Sequence, residues 1–160
     1  MDGTGVARAM VGYDGSVPAG AAIEVGAALL PAGRAWITHL WAPPMADEAL
    51  RRRLWKGAGG VNEFVEAIER EGAAEADRIA AMGVTLAQAA GWTAEPLVER
   101  TYGGDGLRFA ELAAKFHPDL VLVGSRGLGG TKALGSVAMA TLHHAHSPVL
   151  VVPSDQQRAE

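Results

Sequence analysis

Two stretches stand out along the chain as unbroken apolar runs, Leu120-Val121-Leu122-Val123 and Val149-Leu150-Val151-Val152. Each is rich in β-branched residues and bounded by turn formers, Asp119 and Gly124 around the first, Pro148 and Pro153 around the second. A short uninterrupted run predicts a strand covered on both faces, as in a parallel sheet lying beneath helices. A third run, Ala9-Met10-Val11-Gly12-Tyr13, stops at Asp14-Gly15-Ser16, and weaker strand patterns cover residues 34–41 and 93–100.

Between these runs the apolar positions recur every three or four residues, the period of a half-buried helix. Residues 18–30 read as a helix with Ser16 as its cap, ending before Pro31-Ala32-Gly33. Residues 61–88 place Val61, Phe64, Val65, Ile68, Ala76, Ile79 and Leu86 on one stripe opposite Glu63, Glu66, Glu69 and Glu71. Gly72 and Gly83 weaken this helix and mark places where it could break. Residues 106–116 and 135–146 repeat the helical pattern. The longest irregular stretch, residues 41–60, carries Pro43-Pro44 and Arg51-Arg52-Arg53 and has room for a short helix. There is no internal repeat.

Strands and helices therefore alternate, β-α-β-α-β-α-β-α-β. That order predicts an α/β fold of three layers, an open doubly wound parallel sheet of five strands with helices on both faces.

Composition narrows the picture. A length of 160 residues describes a single domain, with its core over roughly residues 7–153. Cysteine is absent, which excludes disulfides, thiolate zinc sites and a cysteine nucleophile, and fits a reducing compartment. A hydrophobic content of 49% with 20% charged residues excludes a disordered chain. The net charge of −4 argues against a nucleic-acid partner, which would call for a basic face. No segment approaches the roughly 20 apolar residues of a membrane span. The start, Met1-Asp2-Gly3-Thr4-Gly5, lacks the pattern of a secretory signal. A soluble cytoplasmic protein without membrane association is expected.

In open parallel sheets ligands bind outside the carboxyl ends of the strands, where strand order reverses. Two turns qualify: Asp14-Gly15-Ser16 after the first strand, and the segment from Gly124 to Ser136 after the fourth. The second has the parts of an anion cradle. Gly124, Gly127, Gly129, Gly130 and Gly135 let backbone N–H groups approach a phosphate. Ser136 opens a helix whose first N–H groups lack internal partners. Arg126 and Lys132 add charge, and Ser125 and Thr131 add hydroxyls. The plainer alternative is a flexible loop in which Ser136 only caps its helix. Neither a Walker loop nor a G-x-G-x-x-G pattern fits, because Thr131 separates Gly130 from Lys132 and Lys132 stands where the last glycine belongs.

Tyr13-Asp14-Gly15-Ser16, the stretch from Asp119 to Gly127, Gly135-Ser136-Val137, and the stretch from His144 to Val152 together resemble the universal stress protein family. The resemblance covers nearly the whole chain, strongest over residues 119–153 and weak over residues 41–92. It implies a five-stranded parallel sheet of order 3-2-1-4-5 and a ligand that is ATP or another adenine nucleotide such as AMP, accompanied by Mg2+. By similarity Asp14, with Gly15 and Ser16, would bond the adenine or ribose side. Leu40 and Trp41 would border the base. Gly124, Ser125, Arg126 and Gly127, with Gly129 and Gly130, would line ribose and phosphates, and Gly135, Ser136 and Val137 would donate to phosphate.

One departure bears on the ligand. The family's ATP-binding pattern is G-x2-G-x9-G-[ST], whereas here only residues 128–134 separate Gly127 from Gly135-Ser136. Two missing residues remove up to about 7 Å of extended reach. The expected function is thus adenine-nucleotide binding in stress response or regulation; the alternative is a nucleotide-free dimeric interaction or chaperone-like module.

Other candidates read as structural. His143, His144 and His146 suit a helix C-terminus better than a metal shell, and no metal is expected. Arg51, Arg52 and Arg53 read as a solvated face, and Trp36, Trp55 and Trp92 as buried aromatics. No G-x-S-x-G elbow or triad pattern is present, so catalysis beyond slow nucleotide hydrolysis is not expected. Finally, the implied strand order puts Val149, Leu150, Val151 and Val152 at a sheet edge, where an apolar strand invites pairing with its own copy. A homodimer through this strand is expected, as the resemblance also implies.

Overall fold

The computed structural model describes residues 7–43, 48–125 and 134–153. Its elements run β1 (Arg8–Gly12), α1 (Val17–Leu29), β2 (Arg34–Trp41), α2 (Glu48–Lys56), α3 (Val61–Ala89), β3 (Thr93–Arg100), α4 (Asp105–Phe116), β4 (Leu120–Gly124), α5 (Ser136–His144) and β5 (Val149–Val152). The five strands form one parallel sheet of order β3-β2-β1-β4-β5, as expected for a doubly wound fold.

Period-two alternation sorts the sheet's side chains into two cores. Ala9, Val11, Ala35, Ile37 and Leu122 face α1 and α3, where they meet Ala19, Ala22, Ile23, Ala27 and Ala87. Met10, Val121 and Val123 face the other way, onto Phe109, Leu112 and Ala113 of α4 and Ala138 of α5. The central strands are apolar on both sides because both sides are covered.

α3 runs unbroken through Gly72 and Gly83, contrary to the break that two glycines allow. The reason is tertiary. A Cβ at Gly83 would lie 2.6 Å from Ile37 and 2.7 Å from Tyr13, so the missing side chain lets the helix seat directly on β1 and β2. The packing offsets the propensity cost of about 1 kcal/mol.

The irregular stretch holds a helix, α2, whose Arg51, Arg52 and Arg53 are exposed; Arg52 pairs with Glu48, and Arg53 with Glu71 of α3 at 3.2 Å. Of the tryptophans read as buried, Trp92 is, and its Nε1–H donates to the Leu30 carbonyl at 2.7 Å. Trp36 is half-buried, edge-on to Phe116. Trp55 departs from the expectation: it lies exposed on α2, edge-on to Phe64, because α2 covers α3 and not the sheet.

The two rims of the sheet differ. β3 carries exposed Glu95 and Pro96 in its middle and ends on half-buried Glu99 and Arg100. β5 carries only aliphatic residues, of which Val149, Leu150 and Val151 are half-buried and Val152 is buried. Among the described residues no helix is long and apolar enough to cross a membrane.

Candidate functional site

The turn after β1 is held rigid by its own side chains. Tyr13 continues the strand by donating its N–H to Thr38 O at 2.9 Å. Asp14 Oδ1 then accepts from the Ser16 N–H at 2.9 Å, closing a turn in which Gly15 has φ +82°. Ser16 is the N-cap of α1, its Oγ accepting from the Ala19 N–H at 3.2 Å. The Ser16 oxygen is therefore committed to the helix. Asp14, half-buried, has a second carboxylate oxygen with no partner among the described residues.

Tyr13 is 4% exposed, and this burial, reinforced by the neighbouring Asp14 carboxylate, raises its phenol above the usual pKa of 10.0.

The β1 register on β4, Val11 opposite Leu122, brings the segment after β4 beside the Asp14 turn. Gly124 ends β4 opposite Val152. Ser125 is buried; its N–H donates to Val152 O at 2.8 Å and its carbonyl accepts the Gly135 N–H at 2.8 Å. Gly135, not Ser136, is the N-cap of α5, and no side chain caps it. The first intrahelical bond is Met139 N–H to Gly135 O. The amides of Ser136, Val137 and Ala138 thus have no intrahelical acceptor, and no acidic residue occupies the first turn. Ser136 is exposed and Val137 half-buried against the α4 core.

Gly106 of α4 fixes where this helix starts: a Cβ there would come within 2.5 Å of Ala140 and 2.8 Å of Ser136 O. Arg126, Gly127, Gly129 and Gly130, with Thr131 and Lys132, lie outside the described residues.

Leu40 and Trp41 sit one strand further over, at the end of β2. As adjacent strand residues they point to opposite faces, Leu40 toward the α4 core and Trp41 toward α3. The structure thus places Asp14, Gly15 and Ser16 beside Gly124, Ser125, Gly135, Ser136 and Val137, and leaves only one of the two β2 residues on each side of the sheet.

Sequence reasoning overlooked His39, which is buried and hydrogen-bonded to Tyr13 O at 2.8 Å. The available signal was a polar residue at the inward position that follows Ala35 and Ile37 in β2. It also overlooked Arg100, which lies over Trp41 and Tyr102 at 5.9 and 4.9 Å from the ring centroids and pairs with Glu69 at 2.8 Å. His143, His144 and His146 are exposed, and among the described residues no group of three or more histidines or carboxylates is placed to hold a metal ion.

Residues 6–153 match the model of the universal stress protein family. No curated protein sequence matches the chain. Among solved structures it is similar to the hypothetical protein MJ0577, with 20% identity, 93% of this chain and 96% of that one covered, and a TM-score of 0.71. It is similar to a universal stress protein in complex with cAMP, with 24% identity, 94% and 98% covered, and a TM-score of 0.62. A universal stress protein family member from Arabidopsis thaliana with AMP bound shares 15% identity over 96% of this chain and 95% of that one, with a TM-score of 0.64.

Proposed function

The chain belongs to the universal stress protein family, and from that footing we propose that it binds an adenine nucleotide at the carboxyl ends of β1 and β4, as a homodimer serving stress response or regulation. The observation that carries this reading is the amino end of α5. Its first amides have no intrahelical acceptor, no side chain caps it, and no carboxylate stands in its first turn to repel an anion. Across the crevice the second oxygen of Asp14, without a partner among the described residues, would accept from an adenine amino group or a ribose hydroxyl.

These residues suit the ligand. A phosphate would take the amides of Ser136 and Val137 and the exposed Ser136 hydroxyl. Ser125 supports the site through its backbone, and Ser16 by fixing the Asp14 turn. The segment between Gly127 and Gly135, two residues shorter than the family's ATP pattern, favours a monophosphate over a triphosphate with its Mg2+. The cAMP and AMP complexes among the similar structures support the same choice.

The dimer reading rests on the sheet's unequal rims, since β5, the last strand of the sheet, offers an aliphatic edge with no further strand among the described residues. A second reading, a nucleotide-free interaction module built on that dimer, draws on the shortened loop. Calorimetric titration of the full chain with AMP, ATP and ATP–Mg2+ decides between them. Saturable heat with AMP is expected; no heat with any of the three overturns nucleotide binding and leaves the interaction module.

A further inference from the structure

Between α2 and α3, at the carboxyl end of β2, lies a cavity of about 550 Å3, within the roughly 300–1,000 Å3 range of small-molecule sites. Its wall includes His39 and Trp41 of β2, Leu50 and Arg53 of α2, and Gly72 and Ala76 of α3. The small residues of α3 leave the space open. The buried polar residue in its wall is His39, only 8% exposed, whereas Arg53, Glu71 and Glu75 are exposed at its mouth. Its Nδ1 lies 2.8 Å from the Tyr13 carbonyl oxygen. A carbonyl only accepts, so Nδ1 carries the proton and Nε2 of the neutral ring is a bare acceptor.

Among the described residues that Nε2 has no partner. Among the described residues, the one sealed side-chain polar atom without a partner is Arg100 Nε, so the His39 Nε2 opens onto the cavity that the ring lines. An acceptor on a largely buried ring, opening beside Trp41 and Leu50, selects a ligand that supplies a donor.

Charge narrows the class. Glu71 and Glu75 also line the cavity, Glu71 paired with Arg53 at 3.2 Å and Glu75 paired with Arg78. Two carboxylates with their cations already assigned disfavour a phosphate or carboxylate guest. Trp41 offers an aromatic surface. The cavity is also separate from the nucleotide crevice, because His39 and Trp41 point to the α3 face and α5 lies on the other.

The geometry points to a second ligand site in this cavity, taking an uncharged planar heteroaromatic molecule whose ring N–H donates to His39 Nε2 while its ring packs against Trp41 and Leu50. This site is independent of nucleotide binding and stands or falls alone.

Indole and 1-methylindole test it, being close in shape and differing in the donor. Each is titrated into the unmodified full chain while the His39 Nε2 nitrogen resonance is followed by NMR. Indole is expected to move that resonance saturably at millimolar concentration, and 1-methylindole to bind about tenfold more weakly without moving it. Ala76→Leu, which fills the cavity, should abolish the indole response and leave the AMP titration unchanged. An unmoved Nε2 resonance, or equal binding of the two probes, overturns the proposal, and both are read on the unmodified chain. Displacement of indole by AMP overturns the claim of a separate site.

Discussion

The Gly135 N–H donates to the Ser125 carbonyl at 2.8 Å, so the residue that follows β4 and the N-cap of α5 stand within a hydrogen bond of each other. The chain between them leaves and returns at one point. Its length therefore governs how much room lies beyond that point without altering the point itself. Inserting two residues after Gly129 should raise affinity for ATP relative to AMP by about tenfold, or about 1.4 kcal/mol, in calorimetric titrations. An unchanged ratio would show that loop length does not select the nucleotide.

Ser136→Asp separates stability from binding at the same helix end. A carboxylate in the first turn complements the helix dipole and should stabilise the fold by about 0.3–1 kcal/mol. The same charge repels a phosphate, so AMP binding should fall by at least tenfold. Thermal unfolding and AMP titration on one sample read the opposite signs.

Gly106→Ala tests the seating of α5. The new Cβ meets Ala140 and the Ser136 carbonyl, so α5 must shift, at a cost of about 1–3 kcal/mol in urea unfolding. AMP affinity should fall with it, although Gly106 lies in α4 and outside the proposed contacts.

Alkaline pH should report on Tyr13. Its phenol is raised by burial and by Asp14, so the folded chain holds this proton more tightly than the unfolded chain does. The stability this confers is whole below the unfolded value of 10.0 and is lost as pH climbs from there through the higher folded value. Tyr13→Phe should flatten that loss in denaturant midpoints measured from pH 8 to 11.

Val151→Lys places a charge in the middle of β5. Sedimentation should show a larger monomer fraction, with AMP binding by each subunit retained. An undiminished dimer would move the interface elsewhere.

The frame of the fold could be read from the sequence because β4 and β5 are unbroken apolar runs and the helices keep their period. What escaped is what depends on distant partners. The continuity of α3 through Gly83 rests on Tyr13 and Ile37, far away in the chain, and no local pattern shows that contact. α2 was obscured because Leu50, Leu54 and Trp55 are too few among its arginines to mark a stripe. At the site, Asp14 and Ser16 were readable as a turn and a cap. The cap of α5 falls on Gly135 instead of Ser136, a one-residue shift that frees the serine hydroxyl. His39 was missed because a polar residue inside a strand looks like an interruption until the Tyr13 carbonyl is seen opposite it.

The unequal rims of the sheet carry one more consequence. In the proposed dimer, strand addition at β5 would use up the more welcoming of the two described sheet edges, because Glu95 and Pro96 on β3 disfavour a further strand. Self-association of this proposed kind would close after a single step, yielding pairs where two welcoming rims would spin fibres.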